Sequence, residues 1–490
     1  MRRFSTLILA FLVLFSACQT SPGGSAASTR TPGLAPGSRC GDNICEGGET
    51  SASCPQDCAS ATFSGHIETT YLKVANVGNI AVMVASPQIS RYPDGAGIVV
   101  VVSPIYSEVD GFMTDPDATS LGLIQVSYLW PGIKDPRTGV KSTGTFDYGG
   151  EQSTQILTDV LRFASGLETD VEGRRIFGLA TVPPLTDEVG VYANVDAGIV
   201  AVNAFSINGT QLQDNVSYYI GRENPTVDTL SAMELGYYDD TNQPVANPFY
   251  VYPASYSPNT LSLNFTNLRW DPTYTDQHSS AVGRPYLDLD GNGQFSQGDF
   301  LFGWRVPIMF GKRYYSAALT KALLDNGALT TADWPSDLAT PDEAAQAWQY
   351  RQSTGRFANL LFLTPNWTLK VMLVFGQNDQ LQVSLDKPHV HQAFQGFRFE
   401  SKLWVRLNPD RAYVQYFLPG AGLDFPDNPA NTQPIDWTQI GAYAYPSQGA
   451  AARLVPLASI AEMADRTYTG LWDENLGQVL YTSPAPTPQP

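Results

Sequence analysis

The sequence is short of basic residues and of histidine, and its folded part is without cysteine. Against 47 acidic side chains stand only 29 basic ones, a net charge of -18. A surface of that sign repels phosphate backbones and anionic lipid alike, so nucleic acid is excluded as a partner. Four histidines (His66, His278, His389 and His391) are all that 490 residues supply for imidazole chemistry. No cysteine follows Cys58, which removes thiolate nucleophiles and cysteine metal sites from the remaining chain. The apolar run within the first eighteen residues is too short for a typical spanning helix. What remains, 43% apolar and 11% aromatic, is a globular chain able to bury a large core.

The exception to these shortages is the N-terminus. MRRFSTLILAFLVLFSAC places two arginines before a short apolar run that ends in Ser16-Ala17-Cys18. That pattern predicts export. Its end resembles a bacterial lipobox, with Phe15 where Leu is usual, so residues 1–18 are expected to be a lipoprotein signal with Cys18 lipidated. The protein would then be a membrane-anchored lipoprotein of the cell surface or periplasm. An ordinary signal peptidase site nearby would instead release it. Residues 19–38, rich in Gly, Ser and Pro, read as a flexible linker. Residues 39–59 follow as a Cys-rich module, in which Cys40, Cys45, Cys54 and Cys58 predict two disulfides in an oxidising compartment. About twenty residues make no core of their own, so cross-links replace burial. Zinc is the alternative, but the x4 and x3 spacings are wider than a zinc ribbon's. The module also resembles small CGDGxC-type modules of secreted bacterial proteins, and Asp42, Glu49 and Asp57 are weak calcium candidates there.

Further on, buried strands alternate with helical periodicity. HIETTYLKV and NIAVMVASP read as a strand pair; IVVVV and LIQVSYL read as strands buried on both faces. Between Glu151 and Gly166, Ile156, Leu157, Val160, Leu161 and Ala164 recur at helical spacing. VGVYANVDAGIVAVNA is then a strand, a tight turn of small residues and a helix, and TLKVMLVF is a later strand. This alternation predicts an α/β sheet with right-handed crossovers.

The turn is the informative element, because a nucleophile elbow needs small residues on either side of the reactive one. With Ala193 and Ala197 as the small pair, the nucleophile position falls to Val195, which has no lone pair. A register slipped by one gives it to Asp196, between Asn194 and Gly198, and a carboxylate is a possible nucleophile. Both registers stand at this stage.

The order IVVVVSPIY, LIQVSYLWPG, STGTFDYGGEQSTQILTDVLRFASG, VGVYANVDAGIVAV and KVMLVFGQNDQ resembles the α/β-hydrolase superfamily, especially its prolyl-oligopeptidase-like secreted members, over about residues 62 to 480. The resemblance implies a mostly parallel sheet flanked by helices, with a long interruption; there, at about 211–304, the aromatic, β-prone segments YYIGRENPTVDT, NPFYVYPASYSPNT and LSLNFTNLRW read as a strand-rich insertion. The resemblance also implies a Ser, acid, His triad. Asp379 matches the acid, although an Asp beside Asn378 is equally a turn former. The matching histidine region, Leu403 to Gln415, contains Asn408, Pro409, Asp410 and Arg411 and no histidine. His391 is the substitute candidate base. The oxyanion loop, Ser103-Pro104-Ile105-Tyr106, lacks an amide hydrogen at Pro104, so a donor would have to come from Ile105 or Tyr106.

Inside the insertion, Asp288-Leu-Asp-Gly-Asn-Gly-Gln-Phe-Ser-Gln-Gly-Asp299 fits the twelve-residue calcium loop: Asp288, Asp290, Asn292, Ser296 and Asp299 as side-chain donors, Gln294 through its carbonyl, and glycine at the sixth place. It resembles dockerin-type EF-hand loops, with Asp where many have Glu at position twelve. Calcium is the expected cofactor. The run RYYSAALTKALLDNG and the following helical pattern read as helices of the main layer, and residues 481–490 as a disordered tail.

These readings converge on an exported, lipid-anchored α/β-hydrolase-fold protein without serine catalysis, binding an extracellular ligand (peptide, glycan or ester) and carrying structural calcium. The alternative is an active esterase or peptidase with a non-standard nucleophile, Asp196 or a serine such as Ser103. A calcium-dependent adhesion module is compatible with the first.

Overall fold

The computed structural model describes residues 65–105, 111–224, 234–238, 244–250, 256–257, 260–261, 263–275, 282–302, 306–349, 369–374, 397, 404–407, 448–470 and 472. The signal, linker, Cys-rich module and tail, with Cys18, Cys40, Cys45, Cys54 and Cys58, lie outside them.

Eight strands form the central sheet: β1 (His66–Val74), β2 (Gly78–Ser86), β3 (Ala96–Val102), β4 (Ile124–Tyr128), β5 (Pro184–Asn194), β6 (Val216–Arg222), β7 (Lys370–Val374) and β8 (Trp404–Leu407). Their spatial order is β1-β2-β4-β3-β5-β6-β7-β8. β2 runs antiparallel to both its neighbours, and every pairing from β4 to β8 is parallel. One antiparallel strand near the edge of an otherwise parallel, doubly wound sheet is the α/β-hydrolase arrangement, so the expected fold class holds. β3 is buried at all seven positions, Ala96 to Val102, as a β-branched run covered by helices on both faces must be.

Helix α1 (Glu151–Ala164) begins where the Asp147 carboxyl accepts the backbone N–H groups of Gln152 and Ser153. It presents Ile156, Leu157, Val160 and Leu161 to one face of the sheet. Helix α2 (Ala197–Leu212) packs beside it, with Asn208 donating to Thr158 Oγ1 across the pair. The other face is closed by a C-terminal helix, Gln448–Thr469, which buries Ile460, Ala461, Met463 and Ala464 against Val99, Val101, Tyr192 and Met372. Asp465 on this helix takes a two-pronged hydrogen bond from Arg91.

The excursion between β6 and β7 is larger than its sequence suggested. Val216–Arg222 belongs to the central sheet, so the excursion opens after Arg222 and not near Gln211. A three-stranded sheet (Leu268–Thr275, Val282–Leu287, Phe300–Leu301) forms its described centre. The helix Ala317–Asp325 buries Leu319 and Leu323 in the same cluster as Leu268, Leu287 and Phe300. That run was expected in the main layer. Its helical period was legible, but the surface it covers lies on the insertion, and periodicity carries no information about the partner face.

Candidate functional site

β5 ends at Asn194 and α2 begins at Ala197, leaving two residues for the turn. Val195 takes φ = +48°. A β-branched side chain in the left-handed region is strained, and such strain persists only where surrounding contacts impose it. Asp196 instead has φ -65° and ψ -21°. The strained place at this turn therefore falls on Val195, half-buried, the first of the two registers.

The contacts that impose the strain centre on Asn224, a residue that nothing in the residue order singles out. Its side chain is buried, and Nδ2 lies 2.6 Å from the Val195 carbonyl, 3.0 Å from that of Arg222 and 3.3 Å from that of Ala193. Its Oδ1 accepts from the Tyr219 hydroxyl. The Val195 N–H in turn donates to the Arg222 carbonyl at 2.8 Å. Asn224 occupies space that only glycine leaves open: a Cβ at Gly198 would fall 2.1 Å from Asn224 Cγ, and one at Gly221 2.3 Å from its Oδ1. The small residues of the turn serve this clamp as well as the bend. From sequence, Gly221 and Gly198 were visible only as glycines, because the asparagine that fills their space comes from the next strand's end.

Asp196 is buried, and its Oδ1 accepts the backbone N–H of Ile105 at 3.1 Å. Ile105 is one of the two amides expected to serve an oxyanion. That donor is therefore engaged by an acidic side chain of the same chain, and a carbonyl oxygen gaining negative charge there would meet a carboxyl oxygen already in place. The loop is fixed on both sides, since Ser103 Oγ donates to the Tyr128 carbonyl and Trp130 Nε1 to the Pro104 carbonyl. Ser103 is buried in that contact, which sets it aside as a displaced nucleophile. Beside the turn, Trp130, Phe146, Tyr148 and Phe310 form a continuous aromatic row, with ring centroids 5.5, 4.6 and 4.8 Å apart. Phe310 comes from the insertion and is 56% exposed, so the excursion contributes a wall to this end of the sheet.

Among the histidines, His66 is exposed on β1 against Glu68, at the end of the sheet opposite the turn. Asp379, His391, His389 and His278 lie outside the described residues, as does Tyr106.

The calcium-loop residues form a separate constellation. Carboxylate oxygens of Asp288, Asp290 and Asp299 lie within 4.8 Å of one another. Gly293, the sixth residue, has φ = +78° and donates its N–H to Asp288 Oδ2 at 3.0 Å. The Asn292 N–H reaches Asp290 Oδ1 and the Leu289 N–H reaches Asp299 Oδ1. Asp288 is 1% exposed, and its Oδ1 has no hydrogen-bond partner among the described residues. Its Oδ2 lies 3.4 Å from Arg269 Nε, and Oδ1, facing two further carboxylates, is the beginning of a hard-cation donor set. The segments on either side are the strands Val282–Leu287 and Phe300–Leu301, paired antiparallel, where an EF-hand has helices.

Structural comparison finds peptidases and α/β-hydrolases. Porphyromonas gingivalis dipeptidyl peptidase 4 is 8% identical, with 70% of this chain aligned to 31% of that one and a TM-score of 0.34. Pyrococcus horikoshii acylaminoacyl peptidase is 10% identical over 85% of this chain and 43% of that one, TM-score 0.35. The α/β-hydrolase GrgF from Penicillium sp. sh18 is 11% identical over 70% and 88%, TM-score 0.31. The chain thus spans less than half the length of the two peptidases. No protein-family model and no curated relative matches it.

Proposed function

We propose that this protein is an exported, lipid-anchored binding protein on an α/β-hydrolase scaffold from which serine hydrolysis has been lost. The observation that carries this reading is the φ of +48° on Val195: the backbone strain that presents a nucleophile in an elbow here presents an isopropyl group. Two further features agree with it. The Ile105 amide is engaged by Asp196, and the region where the superfamily places its histidine, Leu403 to Gln415, holds none. Without an imidazole a hydroxyl stays protonated near neutral pH and attacks slowly.

A scaffold of this kind binds at the carboxyl ends of its strands. There the aromatic row ending in Phe310 offers apolar faces to a peptide, glycan or ester from outside the cell. Asp288, Asp290, Asn292, Ser296 and Asp299, with the Gln294 carbonyl, would hold calcium. The ion would neutralise three crowded carboxylates and stiffen the hairpin that carries them.

Fluorophosphonate labelling tests the central point. The full chain is expected to form no adduct, before or after addition of millimolar calcium. A stoichiometric adduct on any serine, located by peptide mass spectrometry, refutes the binding-protein reading and restores the hydrolase.

A further inference from the structure

Five of the largest exposed apolar side chains gather at or beside one end of the sheet, and it is the end away from the elbow. β1 is antiparallel to β2, and β2 to β4, so β1 starts where the parallel strands start. Ile67, the second residue of β1, is 44% exposed there. Ile89, 68% exposed, follows the end of β2, and its neighbour Arg91 is held by the Gly122 carbonyl just before β4. α1 returns from the far end, and beyond its last turn lie Leu167, Val171 and Phe177, 45%, 48% and 54% exposed. The last three belong to one segment laid along β1: the Phe177 ring fills the space a side chain at Gly166 would need, and the Val171 N–H bonds to the Tyr71 carbonyl on the open edge of β1.

Gly65, where the described chain enters the domain, is packed against Ser86 and Pro87 at this same end. The segment leading back to Cys18 therefore leaves the domain beside the apolar surface. Between Cys18 and Gly65 lie the Gly/Ser/Pro-rich residues 19–38, with a root-mean-square span of about 25 Å, and then the Cys-rich module 39–59, so the tether is longer than the linker alone but still keeps the domain near the anchor.

We propose that this surface, Ile67, Ile89, Leu167, Val171 and Phe177, rests on the lipid bilayer to which the N-terminus is anchored, and so holds the elbow end outward. The proposal rests on the lipid-anchor reading for its occupant. A dilute apolar patch of this size binds a bilayer weakly by itself, and tethering raises the local lipid concentration enough to make the contact persistent. Of the cations bordering the patch, Arg162 pairs with Glu168, and Arg174 with Asp170 and Glu172, while Arg175 is exposed beside Phe177. With one such cation against five apolar side chains, contact is mainly apolar in origin and tolerant of salt.

The experiment is hydrogen–deuterium exchange on the full lipidated chain in phosphatidylcholine vesicles, beside Cys18→Ser chain, and a Leu167→Asp/Val171→Asp/Phe177→Asp triple variant. These three side chains are exposed, so the variant is expected to fold. Expected is a several-fold slowing of exchange over residues 165–179 in the vesicle-bound wild type, unchanged at 0.5 M salt. The triple variant should lose it while still floating with the vesicles through its acyl chains. Vesicle-bound wild type with unaltered exchange at 165–179 overturns the proposal. If the wild type does not float, the anchor reading fails separately. The surface is then tested on the same chain at excess vesicle concentration, where absence of protection overturns it too. Protection that grows with protein concentration in the absence of lipid also overturns it, and assigns the surface to a second copy of the chain.

Discussion

Asn224 supplies the sharpest test of how the elbow is held. Its amide nitrogen has two hydrogens for three carbonyls, and the Val195 and Arg222 contacts at 2.6 and 3.0 Å are the shorter pair. Arg222 keeps a partner without it, because the Val195 N–H donates to the same oxygen. Asn224→Ala therefore orphans chiefly the Tyr219 hydroxyl, on a fully buried side chain, and leaves the Val195 carbonyl with only its 3.3 Å contact from the Gly198 N–H. At about 1–3 kcal/mol for a buried group left unpaired, the expected loss is about 1–3 kcal/mol. Asn224→Asp has nearly the same shape, but puts an oxygen where the donor stood, against three carbonyl oxygens. It should be the worse of the two at pH 7.5. The sign of its pH dependence follows. The folded state favours the neutral carboxyl, which raises its folded pKa above the unfolded one. The deficit is then smallest below about pH 4 and grows as pH rises through the folded value. Urea unfolding of each variant, referred to wild type at the same pH, reads both quantities. If Asn224→Ala lies within about 0.5 kcal/mol of wild type, or Asn224→Asp matches it at pH 7.5, the clamp is not what holds Val195 in its left-handed conformation.

Two further outcomes follow from other parts of the fold. Burial first, then Asp187 and Asp94, push the Glu188 carboxyl up from 4.5 to about 7, and its Oε2 has no hydrogen-bond partner among the described residues. Because the folded pKa is the higher one, stability is full below pH 4.5 and falls as pH rises through about 7; discounted for partial solvation, the loss is about 1–2 kcal/mol. Glu188→Gln should flatten that slope in urea unfolding between pH 5 and 8, and a slope equal to wild type's would reject the assignment. For the cation, calcium at about one hundred times its dissociation constant should stabilise the chain by about 2.7 kcal/mol. Chelation should reverse the resulting rise in Tm, and Asp288→Ala should abolish it; a melting curve indifferent to calcium rejects the site.

Much of the scaffold was legible in residue order. The seven consecutive buried positions of β3 announce themselves as an Ile/Val run, and α1 by the spacing of Ile156, Val160 and Leu161, because burial on both faces or on one leaves a periodic trace. The elbow was legible as a pattern of small residues but not in its register. Val195 and Asp196 are adjacent, and only the backbone dihedral distinguishes them. The insertion's limits were misplaced, since Val216–Arg222 is as aromatic and β-prone as the cap strands that follow it.

Local chemistry along the chain determined the strands, the helices, the small-residue turn around Val195 and the carboxylate spacing of residues 288–299, since each depends on residues a few places apart. Tertiary structure alone decided that Asn224 locks the turn, that Asp196 takes the Ile105 amide, and that apolar residues from β1, the loop after β2 and the segment after α1 share one end of the sheet. These depend on distances between segments up to about a hundred residues apart, which are set when the strands pair and leave no periodic mark in the sequence.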